Sequence, residues 1–371
     1  MKPRFRIATS LCAGSAGDRS DYPQLGGLRA GRRRRSFWKC VAVFFASGRR
    51  CNPDAELMLF TNDRKPPVID GVNVGSLLAG WGVSIVQTPF TFMPPRHASG
   101  SFRNTYFKLD AVKALGAYRD DFVMHLDADC LWTRPGDKLR RYAESDRLTL
   151  YAVYGRPGPA EKAGDLTGHE MAALYRRIDP GYPESAPVRF GGELIAGRGE
   201  WFAEIDSQLT DVFAGLVQRS RREPPRFANG RTVFDGEEYL SCFVLNKFWG
   251  SRWQDAAEYV KRIWDTNVYS NASPDDLGKT VWHMPAEKQR GFPLLFREVV
   301  SPDSEFFHVP LDRFAAYLGE FVGIPERKRF YREQGQVERM LEPLRKMLRG
   351  VKRRVISRAG KEPPMNADGR R

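Results

Sequence analysis

No stretch of this 371-residue sequence carries about 18 apolar residues in succession, so no segment reads as a membrane-spanning helix. The N-terminus, Met1-Lys2-Pro3-Arg4-Phe5-Arg6-Ile7, has basic residues with no sustained apolar stretch behind them, which predicts no secretory signal. Cysteine is scarce. Cys12, Cys40, Cys51, Cys130 and Cys242 are scattered, odd in number and without zinc-type spacing. That argues against a disulfide framework and predicts reduced thiols in a cytoplasmic setting. Internal repeats are also absent. What remains is 42% hydrophobic and 28% charged residues, an ordinary globular balance in a chain long enough for one large or two small α/β domains.

The net charge of +14 resembles a nucleic-acid signature until it is located. Residues 29–35 hold five arginines and no acid, and residues 326–358 hold twelve Lys/Arg against four Glu. These segments contribute +5 and +8, leaving +1 for everything else. A nearly neutral body with basic attachments predicts no nucleic-acid partner.

The pattern of the first 130 residues alternates strands and helices. Strands are expected at Phe5 to Leu11, Glu56 to Phe60 and Gly82 to Val86. Helices are expected from Ser36, as N-cap, to Phe45 and from Thr105 to Tyr118. Such alternation predicts a largely parallel sheet with helices on its faces and ligands beyond the carboxyl ends of the strands. Further on, strands are expected at Leu148–Tyr154 and Val188–Ala196, and helices at Glu200–Arg219 and Glu237–Phe248. Residues 155–187 and 220–235, rich in Gly, Pro and Arg, read as long loops.

The stretch Phe122-Val123-Met124-His125-Leu126-Asp127-Ala128-Asp129 is the most informative. It reads as a buried strand whose end presents two carboxylates on one face. Like charges this close repel, and a cation or a proton between them relieves the repulsion. Hard oxygen ligands suit Mg²⁺ or Mn²⁺ shared with substrate phosphates. A solvated Asp-rich turn is the alternative.

With Thr105-Tyr106-Phe107-Lys108-Leu109-Asp110-Ala111 ahead of it, this stretch resembles the core of GT-A glycosyltransferases. The likeness is to the retaining group of bacterial lipopolysaccharide galactosyltransferases and glycogenin, close over residues 102–135 and in element order over about 5–290. The resemblance implies a mixed, mainly parallel, Rossmann-like central sheet flanked by helices. It implies that Asp127 and Asp129 bind Mn²⁺ or Mg²⁺ and, through it, a nucleotide-sugar diphosphate. The third ligand would be His283, in Val281-Trp282-His283-Met284-Pro285-Ala286-Glu287-Lys288, where the group has His-x-x-Gly-x-x-Lys-Pro. Ala286 replaces the Gly, and Lys288 arrives one residue early for its phosphate role. A packed core histidine is the alternative for His283.

Lys108 stands where the group has an arginine on the donor diphosphate, or is an ordinary solvated helix residue. Thr9, Ser10 and Asn62 fall at strand ends near the expected nucleotide. Phe190-Gly191-Gly192-Glu193 resembles a Phe-Asn-x-Gly strand beside the donor sugar, with Gly192 allowing close approach and Glu193 replacing an apolar residue. Asp235-Gly236-Glu237-Glu238 resembles an Asp-Gln-Asp helix start; Asp235, Glu237 and Glu238 are the candidate catalytic carboxylates. A carboxylate base there would suit an inverting reaction, so the retaining outcome of the group is not assumed and both outcomes stay open. Acids at a helix N-terminus are also what the helix dipole favours.

Near the C-terminus, Val337, Met340, Leu341, Leu344, Met347, Leu348, Val351 and Val355 recur at helical steps among Lys and Arg. That pattern suits a basic amphipathic helix on an anionic membrane surface, or a helix docked on the catalytic domain. The Arg32–Arg35 run reads as a solvated loop, with contact to lipid headgroups or phosphate as the alternative. The expected organisation is a catalytic domain over 1–310, with halves meeting near 135, a basic helical extension over 311–360 and a disordered tail. The resemblance implies a peripheral cytoplasmic enzyme of surface polysaccharide synthesis with a glycan or glycolipid acceptor. The alternatives are a non-catalytic basic glycan- or nucleic-acid-binding protein of degenerate fold, and a haloacid-dehalogenase-type phosphatase.

Overall fold

The computed structural model describes residues 3–14, 25, 28–98, 102–153, 162–163, 166–220, 224–227, 230–266 and 270–325. In chain order, β1 is Phe5–Leu11, α1 Ala30–Cys51, β2 Glu56–Thr61, β3 Val83–Gln87, α2 Phe107–Leu115 and β4 Phe122–Leu126. Then come β5 (Cys130–Trp132), β6 (Leu148–Ala152), α3 (Gly168–Ile178), β7 (Phe190–Arg198), α4 (Gly199–Arg219) and α5 (Glu237–Val244). The last are β8 (Trp253–Asp255), β9 (Val260–Arg262), β10 (Val281–His283), α6 (Gly291–Val300) and α7 (Leu311–Val322).

Seven strands form one sheet in the order β8-β6-β7-β4-β1-β2-β3. β3, β2, β1 and β4 are mutually parallel, and β7 runs antiparallel to both β4 and β6. This is the expected mainly parallel sheet, and β7 joins the two halves of the chain through it. Alternate residues face opposite sides, so each strand feeds two cores. Ile7, Leu57, Leu59, Met124 and Leu126 pack with α1 and α6, whereas Ala8, Met58, Phe60 and Val123 pack with α2, α4 and α5. A smaller sheet, β9-β10-β5, stands beyond the carboxyl end of β4.

Three segments differ from the sequence expectation. The Arg32–Arg35 run is not a loop: it forms the start of α1, and the Ser36 hydroxyl, expected as a cap, bonds the Arg32 carbonyl at 3.2 Å within the helix. Arginine is a good helix former, and the Arg34 guanidinium is held by both oxygens of Asp63 at the end of β2. Residues 155–187 are not all loop, because α3 lies among them with Thr167 and Glu170 as a reciprocal cap. Leu311–Val322, at the start of the expected extension, packs Phe314, Ala315, Leu318 and Val322 into the same core as α1. The basic amphipathic pattern beyond it, and the tail, lie outside the described residues.

Candidate active site

The expected strand to Asp129 ends early, at Leu126. Asp127-Ala128-Asp129 is instead a turn, closed by Cys130 N donating to the Asp127 carbonyl at 3.0 Å, that hands the chain from the large sheet to the small one. The carboxylates converge because the backbone turns, not because they alternate on a strand. Two main-chain bonds fix their stems: Asp127 N donates to the Glu193 carbonyl at 3.2 Å, and Met284 N to the Asp129 carbonyl at 2.9 Å.

His283, on β10 opposite Cys130, completes the corner. Its Nε2 lies 3.7 Å from Asp127 Oδ2 and 3.4 Å from Asp129 Oδ1. One ligand atom from each of the three residues falls within 4.8 Å of the others. The remaining oxygens face lysines: Lys108 Nζ is 2.8 Å from Asp127 Oδ1, and Lys288 Nζ contacts Asp129 Oδ2. Lys108 also bonds Glu237 Oε1 at 2.7 Å and the Gly192 carbonyl at 2.8 Å. Each Asp thus gives one oxygen to an ammonium and turns the other toward the imidazole. That donor set, two carboxylate oxygens and one ring nitrogen, fits a small divalent cation.

The charges are mutually dependent. Burial pushes the Asp127 carboxyl up, with Lys108 opposing. Burial acts the same way on Asp129, but Lys288 and His283 outweigh it and hold that carboxyl well below the usual range. The two carboxyls are thus pushed in opposite directions, Asp127 by burial and Asp129 by its cationic neighbours. Burial disfavours the charged His283 ring, yet Asp129 and Glu193 raise it to about 9. Lys108 is held above the ordinary lysine value, since Asp127 and Glu237 overcome its burial.

Behind the corner lies a second network. Glu193 is fully buried on β7, and both its oxygens hold the Arg262 guanidinium, Nε at 2.6 Å. Arg262 also reaches Glu238 Oε1 at 2.8 Å, and Arg189 reaches Glu238 Oε2 at 3.1 Å. Gly192 N donates to Glu238 at 3.1 Å. Burial works against the charged Glu238 carboxyl, but the two arginines hold it far below its ordinary value. Glu238 is therefore a weak proton acceptor, and Glu237 is tied to Lys108. Asp235, in turn, accepts from Thr232 N at 2.7 Å as a cap.

The corner opens onto a cavity of about 660 Å³ lined by Ser10, Lys108, Asp127, Asp129, Asp235, Glu237, Glu238, His283 and Lys288 among others. It lies at the carboxyl ends of β1 and β4, where the alternating pattern placed the ligand. Thr9 and Asn62 are not on its wall. Thr9 is fully buried, and Asn62 bonds the main chain of Ala13 through both ends of its amide (2.7 and 3.2 Å). Strand alternation explains Thr9: Ser10, one residue on, faces the cavity and bonds His125 Nε2 at 3.1 Å. Burial, aided by Lys108, pushes that His125 ring down to about 3, so it is neutral. Gly192 is also off the wall. A Cβ there would lie 2.5 Å from Lys108 Nζ and 2.7 Å from Glu237 Oε1, so this glycine makes room for the protein's own ion pair. Sequence reading passed over Arg189, Arg262 and Trp264, all on the cavity wall. Arg262 had a signal in Glu193, a charge in an otherwise apolar strand that requires a buried partner.

No protein-family model and no curated protein sequence matches the chain. Among solved structures, it is similar to the bifunctional glycosyltransferase WbbM at 12% identity and TM-score 0.45, over 76% of this chain and 46% of that one. The chain thus spans under half the length of WbbM. It is also similar to the galactosyltransferase LgtC, solved with donor and acceptor sugar analogues, at 14% identity and TM-score 0.40, over 86% of this chain and 98% of that one. A third similarity is to mouse xyloside xylosyltransferase 1, at 8% identity and TM-score 0.39, over 76% and 97% of the two chains.

Proposed function

We propose that this chain is a metal-dependent glycosyltransferase, moving a sugar from a nucleotide-sugar donor to a glycan or glycolipid acceptor in the cavity. One observation carries the reading: two carboxylate oxygens and an imidazole nitrogen meet between two largely buried lysines at the end of a mainly parallel sheet. Asp127, Asp129 and His283 would hold Mn²⁺ or Mg²⁺, which when bound supplies Lewis-acid stabilisation for a departing diphosphate. The charge count supports an anionic ligand. With the His283 ring neutral, as a metal ligand must be, Asp127, Asp129 and Glu237 against Lys108 and Lys288 sum to −1, so one divalent cation turns the corner to +1.

The chain's own residues then have separable tasks. Lys108 and Lys288 keep positive charge beside the phosphate position, as point charges without an arginine fork. Arg189 and Arg262 fix Glu238 away from base duty. The cavity volume suits a sugar nucleotide, being within the range of small-molecule sites. The resemblance supports a role in surface polysaccharide synthesis, and the basic C-terminal sequence pattern supports contact with an anionic membrane surface.

The test is hydrolysis of a panel of nucleotide sugars with and without Mn²⁺. Metal-dependent hydrolysis of at least one donor is expected, and its abolition in Asp129→Ala. Binding or hydrolysis indifferent both to Mn²⁺ and to that substitution would sink the reading.

A further inference from the structure

The His283 ring is 6% exposed, and its Nδ1 has no hydrogen-bond partner although it is buried. What faces that nitrogen is Glu193 Oε1, 3.6 Å away. That is too long for a hydrogen bond and close enough for strong electrostatic coupling in a dry interior. Glu193 cannot swing away, because Arg262 grips both its oxygens and Arg262 is itself held by Glu238. Register explains the arrangement. Arg262 and His283 are direct partners on the parallel strands β9 and β10, so the guanidinium runs beside the imidazole to reach β7. The same Glu193 accepts Asp127 N through its carbonyl. A single residue thus touches two of the three corner residues, one through its main chain and one through its side chain.

We propose that Glu193, clamped by Arg262, is a positioning residue for the metal site, holding the His283 ring with Nδ1 toward β7 and Nε2 toward Asp127 and Asp129. This rests on the metal reading above. Outer carboxylates of this kind fix the tautomer and orientation of a ligating imidazole and raise its basicity. An apolar residue at position 193 would leave both Nδ1 and Arg262 without that carboxylate.

Mn²⁺ affinity of the full-length protein, measured by titration without any donor, reads this directly. Glu193→Leu is expected to weaken Mn²⁺ binding about 10- to 100-fold, with the isosteric Glu193→Gln nearer the lower end. Nitrogen-15 spectra of histidine-labelled protein in saturating Mg²⁺ give a second readout, with His283 assigned by loss of its signals in His283→Gln. The wild type should show the Nδ1–H tautomer, and Glu193→Gln a shift in that signature, which a purely structural role would not produce. Should Glu193→Leu fail to fold, Glu193→Gln carries the test. Unchanged Mn²⁺ affinity and an unchanged His283 nitrogen-15 signature in Glu193→Gln would overturn the proposal while leaving the metal reading intact. A wild type that binds no Mn²⁺ would overturn both.

Discussion

Lys108 carries more of the site than a surface lysine on a helix would. Its side chain is 12% exposed and it bridges Asp127 and Glu237, so removing it leaves two carboxylates facing each other with little water between them. Breaking a buried pair by deleting one partner costs about 3–5 kcal/mol, because the orphaned charge stays buried. Lys108→Met is therefore expected to lower unfolding free energy by about 3 kcal/mol in urea titration, and adding Glu237→Gln should recover part of it. A loss under about 1 kcal/mol would mean that water already screens the pair. At this scale the sequence was half legible. Asp127, Asp129, His283 and Lys108 were readable as residue types in order, and they do meet. Gly192 and Thr9 were misplaced, since a one-residue shift along a strand reverses a side chain's face and nothing local marks which neighbour fills the space beside a glycine.

Among the elements, α1 is the instructive one. Its first turn has no acidic residue and its second carries the rest of the Arg32–Arg35 run, an arrangement that the helix dipole opposes. The Arg34–Asp63 pair offsets this and ties the helix start to the end of β2. Burial pushes the Asp63 carboxyl up, but Arg34, helped by Trp38 Nε1 at 2.9 Å, leaves it below its ordinary value. A depressed folded-state value stabilises above the ordinary carboxylate value of about 3.9, and that stability is lost as pH falls through the folded value. With Arg34 37% exposed, the pair contributes about 1 kcal/mol after solvent screening. Arg34→Ala should accordingly melt lower than the wild type at pH 6, with the gap narrowing below about pH 4. A gap independent of pH would assign the loss to packing instead. Long elements with clear periods, β1, β2 and α4, were legible. The three-residue strands β5, β9 and β10 were not, because three residues cannot display an alternation, yet they carry His283 and Arg262 to the site. The α3 cap, Thr167 with Glu170, was a readable signal passed over in a glycine- and arginine-rich stretch.

For the whole molecule, charge and fold tell separate stories. The order of strands explains why residues from 108, 127, 193, 237 and 283 converge, and no sequence pattern specifies that β7 inserts antiparallel between β4 and β6. The charge, by contrast, was located by counting: +8 of the +14 lies in residues 326–358. Among the described residues, no helix is long and apolar enough to cross a membrane. Residues 337–358 alone carry eight Lys/Arg against two Glu, interleaved with apolar positions at helical steps. Each basic residue near an anionic leaflet contributes about 1 kcal/mol, screened beyond about 10 Å at 0.1 M salt. The full-length chain is therefore expected to co-sediment with vesicles containing anionic lipid, and to be released as salt rises. A chain ending at residue 336 should stay in the supernatant while keeping its donor hydrolysis, because the groups lining the cavity all precede it. Neutral vesicles should retain neither form. If the shortened chain still sediments with anionic vesicles, the membrane contact belongs to the body, with the Arg32–Arg35 turn of α1 as the next surface to neutralise.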